Sequence, residues 1–279
     1  MQSNQPAIQA RHLSQEFTQP GSNTPFLALH EASIDIARGE LVSLIGPSGC
    51  GKSTLLNIMG GLAKPTSGTI SIAGKPVTGP SPKEVAFVFQ ENALFPWNTI
   101  IENCDIGMLF QGVPKKERMD RARQSLEAVG LSEFANHYPG QLSGGMRQRA
   151  ALARALSLET DIILMDEPFG ALDEQTRMIL GEDLSVLLAR TGKTIVFVTH
   201  SLGEAVFLSD RVAVFSARPG TIKAIIDIDE PHPRRPDFVT SDKFAGLRNT
   251  LYGMLHDEIR KTLSHRVVSN AAADGGRAS

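Results

Sequence analysis

The apolar positions of this chain follow two different periods. Residues 7–45 read as short strands that close in "LVSLIG" (41–46), a near-continuous apolar run ending in glycine. Such a run fits a strand buried on both faces. A helix follows, "GKSTLLNIMGGLAK", and then two strand-like runs, "SGTISIAG" and "EVAFVFQ". From about 98 to 160 the period becomes helical. "PKKERMDRARQSLEAVG" sets Met119, Ala122, Leu126 and Val129 on one face, with Gly130 as the stop signal. The β pattern then returns in "DIILMDEP" and "TIVFVTH", apolar β-branched runs with a helix between them, as in parallel βαβ units. "RVAVFSARPGTIKAIIDI" predicts two strands joined by a Pro-Gly turn, and "PHPRRPD" an extended linker. A last helix places Phe244, Leu247, Leu251, Leu255 and Ile259 on one stripe, and "SNAAADGGRAS" is expected to be disordered. There is no internal repeat. The pattern predicts an α/β body interrupted by a mostly helical insert.

Composition narrows the partners. The 279 residues and 41% apolar content suffice for a sizeable core in one domain or two. A net charge of −2 gives no electrostatic footprint for nucleic acid or anionic lipid. Cys50 and Cys104 form no disulfide framework, which suits a reducing compartment. The first residues lack a signal-peptide pattern, and no apolar run approaches the roughly 20 residues that span a bilayer. The expectation is a cytosolic chain that works at a membrane only through another, spanning subunit.

The chemistry starts at "GPSGCGKST" (46–54), which fits the phosphate-loop pattern G-x-x-x-x-G-K-[ST] after a buried strand and at the opening of a helix. The predicted nucleotide site comprises Gly46, Pro47, Ser48, Gly49, Cys50, Gly51, Lys52, Ser53 and Thr54. Glycines let successive backbone N–H groups turn inward around phosphates, and the helix dipole adds positive potential. Lys52 is placed to reach the β- and γ-phosphates and Ser53 to coordinate Mg²⁺. Cys50 fills a variable place in the loop. The loop alone leaves kinase, GTPase and ATPase open. "IILMDEP" narrows the choice by ending a buried strand in two adjacent carboxylates. Asp166 suits the Mg²⁺ shell, and Glu167 stands where it can polarise an attacking water.

With those motifs in this order, the chain resembles an ATP-binding subunit of an ABC transporter over roughly residues 7–228. The resemblance rests on the phosphate loop, Gln90 after "AFVF", "LSGGMRQR" (142–149), "ILMDEP", "GALD" (170–173) and His200 after "VFVT". It implies an α/β fold: a P-loop NTPase (RecA-like) core with a mainly parallel sheet, an N-terminal antiparallel β subdomain and an inserted helical subdomain over about 91–160. The ATP-binding domain would cover 1–235, and a helical extension 236–279. The implied ligands are ATP and Mg²⁺. Gln90 would contact Mg²⁺ and the attacking water, and His200 would hydrogen-bond the γ-phosphate. Phe17, in "SQEF", takes the place of the aromatic that stacks on adenine. Asp173 would sit at the subunit boundary of a homodimer. Ser143, Gly144 and Gly145 would face the γ-phosphate held by the other subunit. That role explains a motif with donors and a helix dipole but no base.

Finer details resemble the ATPases of nitrate-, sulfonate- and taurine-type uptake systems: "LSGGM", "EPFGALD", "SARPG" and "LFPWNT". Two positions depart from the commoner family pattern, Met146 for glutamine and Ser201 for the aspartate after the histidine. "LFPWNT" (94–99) holds the chain's one tryptophan just after Gln90, where relatives receive a short helix of the membrane subunit. Docking through Trp97 is the favoured reading, with packing of the insert by Phe95 and Trp97 as the other. The resemblance thus implies an importer's ATPase at the cytoplasmic face of the cell membrane. It would act with permease subunits and, indirectly, a solute-binding protein. The competing readings are an ATPase of an exporter or a non-transport process, and a nucleotide-sensing module without turnover.

Overall fold

The computed structural model describes residues 5–18, 24–170 and 174–275. The first elements are β1 (Ile8–Thr18), β2 (Pro25–Ile36) and β3 (Leu41–Ile45). After them come α1 (Lys52–Met59), β4 (Ser67–Ile72), β5 (Lys75–Pro76) and β6 (Val85–Val88). The helical insert holds α2 (Ile100–Phe110), α3 (Lys115–Ala128) and α4 (Gly144–Leu156). The body resumes with β7 (Ile162–Asp166), α5 (Glu174–Thr191), β8 (Thr194–Val198) and α6 (Leu202–Leu208). It ends with β9 (Arg211–Phe215), β10 (Ile222–Asp227) and α7 (Asp242–Gly275).

Two sheets result. The larger runs β10-β9-β3-β8-β7-β6, parallel except for the antiparallel edge strand β10. The smaller is antiparallel, β2-β1-β4-β5. The N-terminal stretch therefore forms two long strands where short ones were expected. Register shifts within "HLSQ" let β1 pair on both sides along most of its length.

The apolar runs of the parallel strands are buried on both faces, and successive residues feed two different cores. Val42, Leu44, Ile162, Leu164, Val196 and Val198 pack with α1 and the antiparallel sheet. Leu41, Ile45, Ile163, Met165, Ile195 and Phe197 pack with the helical insert and α6. In the insert, Thr99 and Glu102 form a capping box that starts α2. Ala122, Leu126 and Val129 are buried on the predicted face of α3.

"PHPRRPD" runs without helix or strand as far as Arg235, as its prolines suggest, and it is also anchored. Arg234 is buried, and its guanidinium donates to the carbonyls of Val206 (2.6 Å) and Ser209 (2.7 Å) at the end of α6. The last carbonyls of a helix lack intrahelical donors, and a five-donor cation satisfies them. In α7, Phe244 and Leu251 are buried and Leu247 and Leu255 are partly packed, while Ile259 is exposed. The helix continues to Gly275, through alanine-rich sequence of high helix propensity that was expected to be disordered. Residues 276–279 lie outside the described residues.

Candidate functional site

The carboxyl ends of parallel strands are where an open α/β sheet builds its ligand crevice. The loop 46–51 leaves β3 there and runs into α1. Gly51 turns the chain with φ +95°, and a Cβ on it would meet the Ala28 carbonyl at 2.8 Å, so the helix start needs glycine. Lys52 is buried and folds back over the loop. Its Nζ donates to the carbonyls of Gly46 (2.8 Å) and Pro47 (2.9 Å) and lies 3.7 Å from the Cys50 sulfur. The lysine is thus held at the mouth of the loop, with donors that a phosphate oxygen can take over.

β6, β7 and β8 are adjacent and parallel, so residues just past their ends converge. Asp166 closes β7, and its Oδ1 accepts a hydrogen bond from Ser53 Oγ at 3.0 Å. Burial pushes the Asp166 carboxyl above the usual carboxylate range, and the Ser53 hydrogen bond opposes it. Glu167 follows with φ +49°, an uncommon backbone for a residue with a side chain. Its N–H donates to the Val198 carbonyl (3.0 Å). Its own carbonyl accepts from Gly170 N (3.1 Å) and from Gln148 Nε2 (2.8 Å). The carboxylate that this bend presents is held on both sides. His200 Nε2 lies 2.8 Å from Oε1, and Gln90 Nε2 donates to Oε2 at 3.1 Å.

A cleft of about 460 Å³ is lined by Ser48, Gly49, Gly51, Lys52, Ser53, Thr54, Gln90, Glu167 and His200, and Asp166 meets it only through Ser53. Phe17, Phe26 and Arg218 close its other end. Phe17 and Phe26 stand opposite in the β1–β2 pair with ring centroids 5.9 Å apart, and Arg218 lies over the Phe26 ring at 4.6 Å. A phosphate cradle at one end and an aromatic platform at the other suit a nucleotide. A larger groove of about 890 Å³ sits at the opposite strand ends, bordered by Asp35, Arg38, Asp161 and Arg211, and contains no phosphate loop.

The single chain does not bring every predicted residue together. Ser143 caps α4, its hydroxyl accepting from Met146 N at 3.3 Å, and it is exposed. Ser143, Gly144 and Gly145 are not among the described residues that line the cleft. Asp173 lies outside the described residues. Ser201, the departure beside His200, caps α6 by accepting from Glu204 N, a task that serine and aspartate both perform. Trp97 is 71% exposed. Its loop is held from below by buried Asn103, which bonds the backbone of Phe95 at both N and O.

Sequence reasoning missed Phe26, Arg218 and Gln148. Gln148 left a signal: it shares a helical stripe with Ala151, Leu152 and Ala155, all buried. A lone polar residue on such a stripe needs a partner inside. Phe26 and Arg218 left none, because only the folded hairpin and the Pro-Gly turn bring them to the cleft.

The family model described as ABC transporter matches residues 29–170. An ATP-binding protein of Brucella abortus is 45% identical over 237 residues, 85% of this chain and 91% of that protein. The nitrate import ATP-binding protein NrtD of Synechocystis is 46% identical over 211 residues, 76% of this chain and 79% of that one. The bicarbonate transport ATP-binding protein CmpC of Synechococcus elongatus is 41% identical over 273 residues, 96% of this chain but 41% of that longer protein. Among solved structures, a dimeric ATP-binding cassette bound to ADP and Pi superposes with a TM-score of 0.73 at 33% identity. The match covers 80% of this chain and all of that one.

Proposed function

Since the chain belongs to the ABC transporter family, we propose that it is the ATP-hydrolysing subunit of an importer for a small anionic or sulfur- or nitrogen-containing solute of the nitrate, sulfonate or taurine type. The observation that carries the catalytic part is the Glu167 carboxylate, clamped between Gln90 and His200 at the edge of the phosphate-loop cleft. The relatives named for nitrate import and bicarbonate transport support the solute class.

In this reading the backbone N–H groups of 46–54 and Lys52 bind the phosphates. Lys52 exchanges its bonds to the Gly46 and Pro47 carbonyls for phosphate oxygens. Phe17 stacks on adenine. Glu167 takes a proton from water as the water oxygen attacks the γ-phosphorus and the bond to the β–γ bridging oxygen breaks, releasing ADP and phosphate. Gln90 and His200 orient that carboxylate, and His200 reaches the γ-phosphate. Ser53 Oγ and Asp166 Oδ1, 3.0 Å apart, and Gln90, which lines the same cleft as Ser53, would supply an oxygen donor set that fits Mg²⁺. Bound there, Mg²⁺ supplies charge neutralisation on the β- and γ-phosphates.

The exposed helix start at Ser143, Gly144 and Gly145 completes the site of a second copy, with Asp173 at the boundary between the two. Trp97 and its loop receive the permease. No helix among the described residues is long and apolar enough to cross a membrane. The proposed place is the cytoplasmic face of the cell membrane, held by that permease and served indirectly by a solute-binding protein. The unit that binds ATP is residues 1–235, with 236–279 as an extension.

Two measurements test this reading. Mg²⁺-dependent ATP turnover should be present in the parent protein and nearly absent in Glu167→Gln. A strain lacking this subunit should lose uptake of one nitrate-, bicarbonate-, sulfonate- or taurine-type solute and regain it only with the parent sequence. No turnover even with the permease present would favour a nucleotide-sensing module, and turnover without any uptake defect would favour an exporter or a non-transport ATPase.

A further inference from the structure

"SARPG" (216–220) joins the last two strands of the large sheet, and nothing in the catalytic scheme uses it. Its arginine nevertheless borders the nucleotide cleft. Arg218 lies with its guanidinium 4.6 Å over the Phe26 ring, and its Nε donates to the carbonyl of Gly49 in the phosphate loop at 3.2 Å. That is its one hydrogen bond among the described residues, and no ion pair claims it there. The cation thus spans from the aromatic end of the cleft to the phosphate end, with the Nη1 and Nη2 donors still to be used.

The turn is fixed on both sides of Arg218. Gly220 is wedged against the phosphate loop so closely that a Cβ would fall 1.6 Å from the Cys50 carbonyl. Its N–H donates to the Ala28 carbonyl (3.0 Å), and its own carbonyl accepts from His30 N (2.9 Å). On the other side stands Glu258, a buried carboxylate of α7. Its Oε2 accepts from Ala217 N (2.9 Å), and its Oε1 pairs with Lys223 Nζ (2.8 Å). A buried carboxylate is costly to keep unless its partners satisfy it, and both of these partners belong to the turn and the strand that follows it. Among the described residues, Glu258 therefore ties the C-terminal extension to the turn that carries Arg218.

We propose that Arg218 is a nucleotide-binding residue that grips the ribose–α-phosphate segment common to ATP and ADP, and that Glu258 is the positioning residue that holds it there. The proposal rests on the reading of this cleft as the ATP site. The segment follows from location: Phe26 marks the base end, Gly49 the phosphate end, and Arg218 bridges them. The chemistry is a charge-assisted hydrogen bond from a guanidinium pre-ordered by stacking, a geometry that lysine does not reproduce.

Binding of ADP, and of ATP in a Glu167→Gln background, is measured on the full-length protein by calorimetry, alongside thermal melting. Arg218→Ala should raise Kd for both nucleotides by the same factor, about tenfold. Arg218→Lys should recover only part of it. Should Arg218→Ala fail to fold, Arg218→Gln carries the same test. Glu258→Ala should weaken binding in the same direction, and Glu258→Gln, whose amide oxygen can still accept from Ala217 N, should restore it. In an Arg218→Ala background Glu258→Ala should have no further effect on Kd, since the two act through one contact. Unchanged ADP affinity in folded Arg218→Ala overturns the proposal, as does a loss for ATP alone, while additive losses in the double variant overturn the role of Glu258. Lys52→Ala is the control. If it abolishes binding while Arg218→Ala does not, only this inference fails; if neither matters, the ATP site lies elsewhere.

Discussion

Gln148 donates from Nε2 to the backbone carbonyl of Glu167 at 2.8 Å, tying the inside of α4, the helix that opens in the "LSGGMRQR" signature, to the residue that presents the carboxylate. The two ends of "LSGGMRQR" thus look in different directions. Ser143 is exposed and absent from its own cleft, while Gln148 is buried and supports that cleft from behind. Glu167 holds an uncommon positive φ, which persists only where surrounding bonds over-determine it. Gln148→Ala removes one of those bonds. We expect kcat to fall about tenfold with KM little changed, because the loss acts on orientation rather than on binding. The stability cost should be about 1 kcal/mol, since Gly170 N still serves the Glu167 carbonyl. Steady-state kinetics with a denaturant melt will check it, and an unchanged kcat would leave Gln148 as a packing residue only.

Glu167→Gln separates chemistry from binding. The amide keeps the shape between Gln90 and His200 but is a poor base. Turnover should fall by about 10²–10⁴, the usual contribution of a general base, with ATP affinity retained. Lys52→Ala should do the reverse and weaken binding itself, because it removes the charge that meets the phosphates. Hydrolysis at the parent rate in Glu167→Gln would show that another group takes the proton.

Asp166 predicts a trade between stability and function. Burial raises its carboxyl in the folded state, so the folded protein holds that proton more tightly than the unfolded chain does. The sign follows from linkage: the ionised carboxylate costs stability above the raised value, and the cost fades as pH falls through it and is gone below the ordinary value near about 4. In metal-free buffer at neutral pH, Asp166→Asn should therefore melt higher than the parent. The gap should narrow as the pH is lowered, while ATPase activity is lost throughout. A lower melting point for Asp166→Asn would mean that the Ser53 hydrogen bond outweighs burial.

Much of the architecture was legible because the strands carry an unambiguous signature. "LVSLI", "IILMD" and "TIVFV" are apolar at every or nearly every position, and the structure buries each on both faces. The convergence of Gln90, Glu167 and His200 is a consequence of parallel pairing: three motifs at three strand ends meet on one edge. What stayed hidden depends on contacts between distant segments. Phe26 meets Arg218 only after a turn far along the chain docks on β2, and Glu258 meets Ala217 only once α7 packs back. The prolines of "PHPRRPD" announce an extended backbone but not its anchoring, because Arg234 is recruited by the open carbonyl end of α6.

Trp97 is exposed, so it can be removed without loss of core. Trp97→Ala should change stability by no more than about 0.5 kcal/mol and leave nucleotide affinity intact. Co-purification with the cognate permease should weaken sharply, as expected when an aromatic anchor leaves an interface. Asn103→Ala is the informative contrast. It leaves the tryptophan but frees the backbone of Phe95 and Asn98, so it should lower both stability and assembly. Intact assembly in Trp97→Ala together with a large fall in melting temperature would favour the packing reading of the loop.

The last prediction concerns which chain completes which site. Ser143 and the two glycines behind it offer donors and a helix start, yet in one chain they do not line the cleft that holds Lys52 and Glu167. A head-to-tail pair of chains would bring each signature to the other's phosphate loop. Consider one protomer with Lys52→Ala and another with Ser143→Arg, whose bulk and charge block the contact. Each homodimer should be nearly inactive, because every site holds one lesion. In a mixed dimer isolated through two tags, one site collects both lesions and the other collects none. ATPase activity should then return, up to about half of the parent value if the two sites fire independently. Strict dependence on two working sites would suppress turnover but not closure. For that reason ATP-driven dimerisation should be measured in parallel on versions that also carry Glu167→Gln. Mixed dimers that neither hydrolyse ATP nor close on it would place the signature in its own chain's site and overturn the composite arrangement.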